Sequence, residues 1–338
     1  MSASKGLPAD IRLEEIAAPA ATPAWQRALL VLGGLAIAIA PIFVLESFHL
    51  FQLTMAVIMA LAVLGLNIVS GYNGQISLGH GAFFAVGAYC TAILMSHLDW
   101  SFWATLPVSA VVCGIIGYGV GFPALRLAGH YLALTTFSLA VAVPQILKHK
   151  SIEDWTGGVQ GLFLVKPDAP AGIPLTADQW MYVVTVIVAG VCFLLAWNLI
   201  RSRIGRALIA TRDHPTAAEA MGMDIASLKT RAFAVSAIIT GIAGSLSAVA
   251  VEFVAPDSFS FGVSITLFVG MVVGGVASIL GSLFGGLFVL FVPNIAEAIS
   301  KAAPGVIYGV ILILFLFLLP DGFAGLLRRI AGRLRGRG

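Results

Sequence analysis

Ten apolar runs, each about one bilayer thick, most constrain what this chain can fold into. They fall at about 28–45, 52–70, 76–96, 102–122, 130–147, 180–200, 231–254, 261–279, 283–300 and 304–320. A helical span needs about 20 apolar residues, so ten spans use about 200. The 59% hydrophobic share of 338 residues supplies close to that number and leaves little for a large soluble domain. Charged residues are 10% of the chain, against about 25% in soluble domains. These numbers exclude a water-soluble enzyme, a nucleic-acid binder and a disordered chain. The expected fold is an all-α polytopic membrane protein of about ten transmembrane helices. The runs at 76–96 and 261–279 are rich in Gly and small residues. One or both are candidates for a broken or partly re-entrant helix, a form tolerated where protein or a water-filled path surrounds it.

The cations set the expected orientation. The stretch 201–231 holds Arg201, Arg203, Arg206, Arg212, Lys229 and Arg231, and the C-terminal stretch holds Arg328, Arg329, Arg333, Arg335 and Arg337. Four runs separate the two, so they share a side, taken as the cytoplasm. Six runs precede the first, which puts the N-terminus inside too, and Arg126 after four runs agrees. The loop at 148–179 must then face out. Expected boundaries are a cytoplasmic tail at 1–26, a transmembrane region at 27–322 with a cytoplasmic loop at 201–230, and a basic tail at 323–338. The tail arginines read as a contact to lipid headgroups, not nucleic acid. A cleavable signal peptide is the rival reading of the first run, opposed by its acidic flank and its length.

No catalytic set is visible. The phosphate-cradling Gly-x-x-x-x-Gly-Lys-Ser/Thr pattern does not occur, and the six histidines form no metal pair at helical spacing. No cofactor is expected, and Cys90, Cys113 and Cys192, all inside apolar runs, read as small packing residues. Ionisable residues are almost missing from span centres, with Glu46, Glu252 and Glu297 near run ends. Ion-coupled carriers place such groups at mid-membrane, so any uphill transport should draw its energy from outside the chain. Gly-x-x-x-Gly pairs at Gly117/Gly121, Gly270/Gly274 and Gly281/Gly285 read as close helix contacts.

Two segments stand out. Gly71-Tyr72-Asn73-Gly74-Gln75-Ile76-Ser77-Leu78-Gly79-His80-Gly81-Ala82-Phe83-Phe84 interrupts two apolar runs with hydrogen-bonding groups. It is either part of a solute path or a plain turn in which His80 bonds a neighbouring carbonyl. In the cation-rich loop, Thr216-Ala217-Ala218-Glu219 reads as a capping box with Thr216 as N-cap. Gly222 then stops the helix, and Asp224 caps the next one. This predicts a short helix over about 217–221, with the small residues Ala217, Ala218 and Ala220 on its exposed surface. The loop at 150–179, with Gly157, Gly158, Pro167, Pro170 and Pro174, reads as an ordered, non-helical cover.

The polar segment resembles the signature of the membrane permease subunits of branched-chain amino acid ABC transporters. The likeness continues through Tyr131-Leu132-Ala133-Leu134-Thr135-Thr136, Thr156-Gly157-Gly158-Val159-Gln160-Gly161 and Ser202-Arg203-Ile204-Gly205-Arg206-Ala207-Leu208-Ile209-Ala210, with Arg212-Asp213 after it. It goes on through Ala217-Ala218-Glu219-Ala220-Met221-Gly222, Lys229-Thr230-Arg231-Ala232-Phe233-Ala234-Val235-Ser236-Ala237, Ala243-Gly244 and Gly270-Met271-Val272-Val273-Gly274-Gly275. It covers about 50–320 and is most like the longer of the two permeases that pair in such systems. Permeases for urea or short amides share the signature, so they stay open as an alternative. An ion-coupled secondary carrier is the reading from another class.

The resemblance implies a subunit without ATP chemistry of its own, in a bacterial inner membrane. Its partners would be a second permease subunit, two cytoplasmic ATPase subunits and a periplasmic or extracellular solute-binding protein that meets the 150–179 loop. It implies a substrate pathway near Asn67, Tyr72, Asn73, Gln75, Ser77, His80, Thr135 and Thr136. It also implies an ATPase-coupling loop carrying Arg206, Asp213, Thr216, Ala218, Glu219, Ala220 and Gly222.

Overall fold

The structure, a computed structural model, describes residues 39–124, 130–170, 174–301 and 303–335. The expected tail at 1–26, most of the first run, Arg126 and Arg337 lie outside these residues. The chain divides into two units, 1–44 and 45–338. In the first, residues 39–44 are described and helical.

The second unit is helical almost throughout, as expected where lipid offers the backbone no hydrogen bonds. Helix α1 (Ser47–Leu66) runs into a π-helical turn at Asn67–Tyr72. Then come α2 (His80–Leu98), α3 (Phe102–Ala124), α4 (His130–Leu147) and the short α5 (Glu153–Thr156). Helix α6 (Ala177–Arg201) is followed by α7 (Arg203–Asp213), α8 (Pro215–Ala220) and α9 (Ile225–Val251). The chain ends with α10 (Phe261–Gly274), α11 (Ile279–Ile299), α12 (Pro304–Leu318) and α13 (Gly322–Arg335). A two-residue antiparallel pair, β1 (Leu162–Phe163) with β2 (Phe253–Val254), is the one departure from the all-helical expectation among the described residues.

Among the described residues, seven helices are long and apolar enough to cross a membrane. Two further pairs bend sharply, by 63° after α4 and by 41° between α12 and α13, and raise the number to nine. These nine correspond to the nine expected runs that follow the first. Two runs start or stop elsewhere than expected. The 76–96 run becomes helical at His80, because Asn73–Gly79 is extended or turning. The 261–279 run ends at Gly274, where the chain breaks before α11. Helix α10 has 14 residues and so rises about 21 Å, short of the roughly 30 Å of hydrocarbon. A 3-10 turn at Pro256–Phe259 extends it.

Helices α1 and α9 form the centre. In their most apolar stretches 78% and 72% of residues are buried, against 28–56% in the other spans. Helices α2 and α3 pack on α9, and α6, α10 and α11 pack on α1. Small residues let the backbones approach. A Cβ on Gly244 would stand 1.9 Å from Phe84 O, and one on Gly285 2.1 Å from Gly270 O. The expected glycine pairs are therefore packing contacts, since Gly274 likewise faces Gly281 O and Gly117 faces Ala237.

The unit has two distinct ends. At one end the 148–166 loop lies on the ends of α2 and α9. Lys166 pairs with Asp178 at 2.9 Å and Glu252 at 3.4 Å, Lys148 pairs with Asp257, and His97 Nε2 meets Trp155 O at 3.1 Å. This loop holds a 3-10 turn, α5 and β1, so it is not the purely non-helical cover expected. Left-handed backbone at Gly157, Gly158 and Gly161 shapes it, and a Cβ on Gly161 would stand 2.4 Å from Val254 O. At the other end the cation-rich loop, the 67–79 break, the 275–278 break and the start of α13 meet.

Candidate functional site

The break after α1 is built from side chains that replace lost backbone bonds. At Asn67–Tyr72 the helix widens to a π-turn, a form that recurs at functional sites. Asn67, fully buried, folds over Gly71, where a Cβ would stand 1.9 Å from its Oδ1. Its Nδ2 donates to Ser278 O at 2.9 Å and Ser282 Oγ at 3.0 Å, and its Oδ1 accepts from Ala277 N at 2.8 Å. One amide thus ties the break after α1 to the break between α10 and α11. The Tyr72 hydroxyl lies against the Ile279 backbone at the same junction.

The chain then turns at Gly74, with φ +72, and is held by Ser70. Ser70 Oγ donates to Gln75 O at 2.9 Å and accepts from Ser77 N at 3.3 Å. His80 opens α2 inside a relay. Its Nδ1 meets Ser77 Oγ at 2.9 Å, its Nε2 meets Ser236 Oγ at 2.5 Å, and Ser236 Oγ donates to Gly65 O at 2.6 Å. Ser236 spends its one proton on Gly65, so the imidazole donates from Nε2 and accepts from Ser77 at Nδ1. The amides around the start of α2 are satisfied by neighbours: Leu78 N, just before it, by Thr136 Oγ1 at 3.0 Å and Gly81 N by Ser264 Oγ at 2.9 Å. Asn73 is the exception. It is buried, and neither of its side-chain polar atoms has a partner in the structure.

The expected pathway residues therefore separate into two groups. Asn67, Tyr72, Asn73, Gln75, Ser77, His80 and Thr136 are buried in one junction. Thr135 sits on the exposed face of α4, its hydroxyl folded onto Tyr131 O at 3.0 Å.

The cation-rich loop forms a helical pair, where one short helix was expected. Ser202 caps α7 by accepting from Ile204 N at 3.1 Å and Gly205 N at 3.4 Å. Arg206 reaches back to Arg201 O at 3.1 Å. The expected capping box does not form: His214 is the N-cap of α8, without a side-chain bond, and Thr216 lies inside the helix. The reason is Pro215, whose fixed φ and missing N–H suit the first helical position and which starts the helix two residues earlier, at 215 rather than 217. Ala218 is buried rather than exposed, while Ala217, Glu219 and Ala220 face outward. The stop is as read. Gly222 has φ +80, its N–H bonds Glu219 O at 2.9 Å, and Met223 N bonds Ala218 O at 3.1 Å, which is a Schellman closure. Asp224 caps α9 through Ser227 N at 3.0 Å.

Two bonds join this loop to the break. Arg212 Nη1 donates to Gly71 O at 3.0 Å, and its Nε donates to Asp213 Oδ1 at 2.8 Å. Gln75 Nε2 donates to Lys229 O at 3.2 Å. Sequence reasoning singled out Arg212-Asp213 and Gln75 but not their pairing. It placed Ser236 within a motif but not its bond to His80, and it missed Ser264 and the 277–282 partners of Asn67. Their one signal is a polar residue inside an apolar run.

A helical bundle with interrupted spans, its breaks tied to a helical loop at the cation-rich end, is the architecture of a multi-pass membrane protein. The family described as the permease component of branched-chain amino acid transport systems matches residues 49–319, and the chain belongs to it. Similar proteins include the high-affinity branched-chain amino acid transport system permease protein LivM of Salmonella typhimurium, 30% identical over 75% of this chain and 64% of that relative. LivM of Escherichia coli is 30% identical over 67% of this chain and 58% of its own length. BraD of Pseudomonas aeruginosa, also a permease of such a system, is 26% identical over 83% and 97%. The chain thus spans less than two thirds of the length of either LivM relative. No solved structure matches it.

Proposed function

We propose that this chain is the transmembrane permease subunit of an ABC importer for branched-chain or other small hydrophobic amino acids, in a bacterial inner membrane. Family membership supports the substrate class. The observation that carries the mechanism is the double tie between the 201–230 loop and the broken first helix, at Arg212–Gly71 and Gln75–Lys229. In this reading α8 seats in a cleft of a cytoplasmic ATPase, with Glu219 and Ala220 outward and Gly222 returning the chain to the membrane. Arg206, Asp213, Thr216 and Ala218 keep the loop in shape beneath it. Closure of two ATPase subunits on ATP moves the loop, and the bundle rocks between outward-open and inward-open states.

A second permease completes the solute path, supported by the exposed Thr135 and Ser138 on a membrane-embedded face of α4. Asn67, Tyr72, Asn73, Gln75, Ser77, His80 and Thr136 border that path as the residues that shape its break. A solute-binding protein docks on the 148–166 end. Both termini and the basic tail at 323–338 are cytoplasmic, the arginines facing lipid headgroups.

The test is uptake into proteoliposomes holding the complete transporter, with ATP inside and loaded binding protein outside. Labelled leucine should accumulate with ATP and keep accumulating when the proton gradient is dissipated. Accumulation of urea or acetamide in place of leucine would reassign the substrate, and loss with the proton gradient would reject the ATP-driven reading.

A further inference from the structure

Three parts of the chain converge on Gly71. Its carbonyl takes the Arg212 guanidinium at 3.0 Å. Its missing side chain leaves the space that the Asn67 amide fills, and a Cβ there would also stand 2.7 Å from Ala277 N. Asn67 in turn holds the 275–282 break. A helix that ends in a π-turn leaves its last carbonyls without helical partners, and Gly71 O is one of these, so the guanidinium replaces a lost backbone bond.

Arg212 is itself held on three sides. Asp213 binds its Nε at 2.8 Å. Gly74, in a left-handed turn, lies against its stem, where a Cβ would stand 2.7 Å from Arg212 Cγ. Its own backbone is in the last turn of α7, one residue from the end of that helix. The planar fork is what allows two bonds in different directions from one side chain, which a lysine ammonium on a flexible stem does not reproduce. A side chain fixed at its base, stem and tip transmits displacement, whereas a free surface arginine does not.

We propose that Arg212 is the positioning residue that carries movement of the 201–230 loop into the break of the first helix, with Gly71 as the receiving point. From Gly71 the movement passes through Asn67 to the 275–278 break, so both interrupted spans respond to one loop. Gln75 on Lys229 O holds the far side of the break against the start of α9, so α7 pulls while α9 anchors. The proposal rests on the ATP-driven reading above.

The test uses proteoliposomes of the complete transporter, with labelled leucine and loaded binding protein outside and ATP inside. It compares wild type, Arg212→Gln, Arg212→Lys, Gly74→Ala and a control on the same helix, Arg203→Gln. The readout is leucine moved per ATP hydrolysed, with subunit recovery and melting temperature measured on the same preparations. Arg212→Gln should lower the ratio about tenfold or more, the scale of one lost charge-assisted hydrogen bond. Arg212→Lys should not restore it. Gly74→Ala, which displaces the stem without changing charge, should lower it too. Arg203→Gln should match wild type in ratio and melting, and all four variants should retain the ATPase, with melting in the other three lowered only by the one lost bond or strained turn. A wild-type ratio in Arg212→Gln overturns the proposal. So does loss of the ATPase subunits in both Arg212→Gln and Gly74→Ala, because Arg212 would then serve assembly. Wild-type uptake that needs no ATP rejects the underlying reading and the proposal together, whereas ATP-dependent uptake with a normal Arg212→Gln rejects the proposal alone.

Discussion

Asn67→Leu isolates what the junction of the two breaks contributes. The substitution keeps the branching of the side chain at a fully buried site, with larger methyl ends, and removes every polar bond. Ala277 N loses its acceptor at 2.8 Å, and a buried unpaired N–H costs about 1–3 kcal/mol. Ser278 O is partly rescued, because Ser282 Oγ already reaches it at 3.3 Å. The donations to Ser278 O at 2.9 Å and Ser282 Oγ at 3.0 Å, whose two hydrogens also serve the longer contact to Gly275 O at 3.4 Å, count at the smaller value of about 0.6 kcal/mol per hydrogen found for bonds between membrane helices. The sum is a loss of about 2–4 kcal/mol. Unfolding of the purified complex in mixed micelles, titrated with a denaturing detergent, reads it directly. Exchange of the Ala277 amide should accelerate in the same variant. Asn67→Asp discriminates the cause: it can still accept from Ala277 N but turns a carboxylate toward the Ser278 carbonyl, and should be no more stable than the leucine variant. An Asn67→Leu protein within about 0.5 kcal/mol of wild type, the range of a neutral surface change, would refute the reasoning.

Three other outcomes follow from the geometry. Ser236→Ala leaves both His80 Nε2 and Gly65 O without their partners and should destabilise the same unfolding transition by about 1–3 kcal/mol; an unchanged transition would deny the relay a structural part. Gly222→Val meets nothing within 4 Å but must hold φ +80, so it should strain the end of α8 by about 1 kcal/mol or more and weaken ATPase stimulation while membrane insertion stays normal. Cysteines placed at Val165 and Met221, both exposed, in a chain with Cys90 replaced by Ser, should label from opposite membrane faces. Same-side labelling would contradict the cation-based orientation.

The apolar runs exposed the spans because lipid requires long, continuous apolar helices, and the nine runs after the first appear as seven helices and two bent pairs. The stop at Gly222 and the cap at Asp224 were legible because both are local, set by one residue's backbone freedom or side chain. The start of α8 was not. Thr216 and Glu219 have the spacing of a capping box, but Pro215 competes for the first helical position and wins. The depth of Ala218 was hidden for a different reason: a helix of six residues carries too little periodicity from which to read a buried side. The polar segment announced itself as a break, yet its partners at Ser236, Ser264 and 275–282 lie roughly 150 or more positions away in sequence. Nothing local encodes such pairings. The same holds for Arg212, whose charge reads as one more positive-inside cation until its carbonyl partner is known.

The most direct test of the central claim is ATP hydrolysis by the assembled ATPase subunits, measured in lipid with and without this chain. With it present, loaded solute-binding protein should raise the hydrolysis rate, and leucine should enter the vesicles in step with that rise. An equal rate when the chain is omitted, or leucine entry without hydrolysis, would contradict the assignment of this protein as the ATP-driven permease subunit.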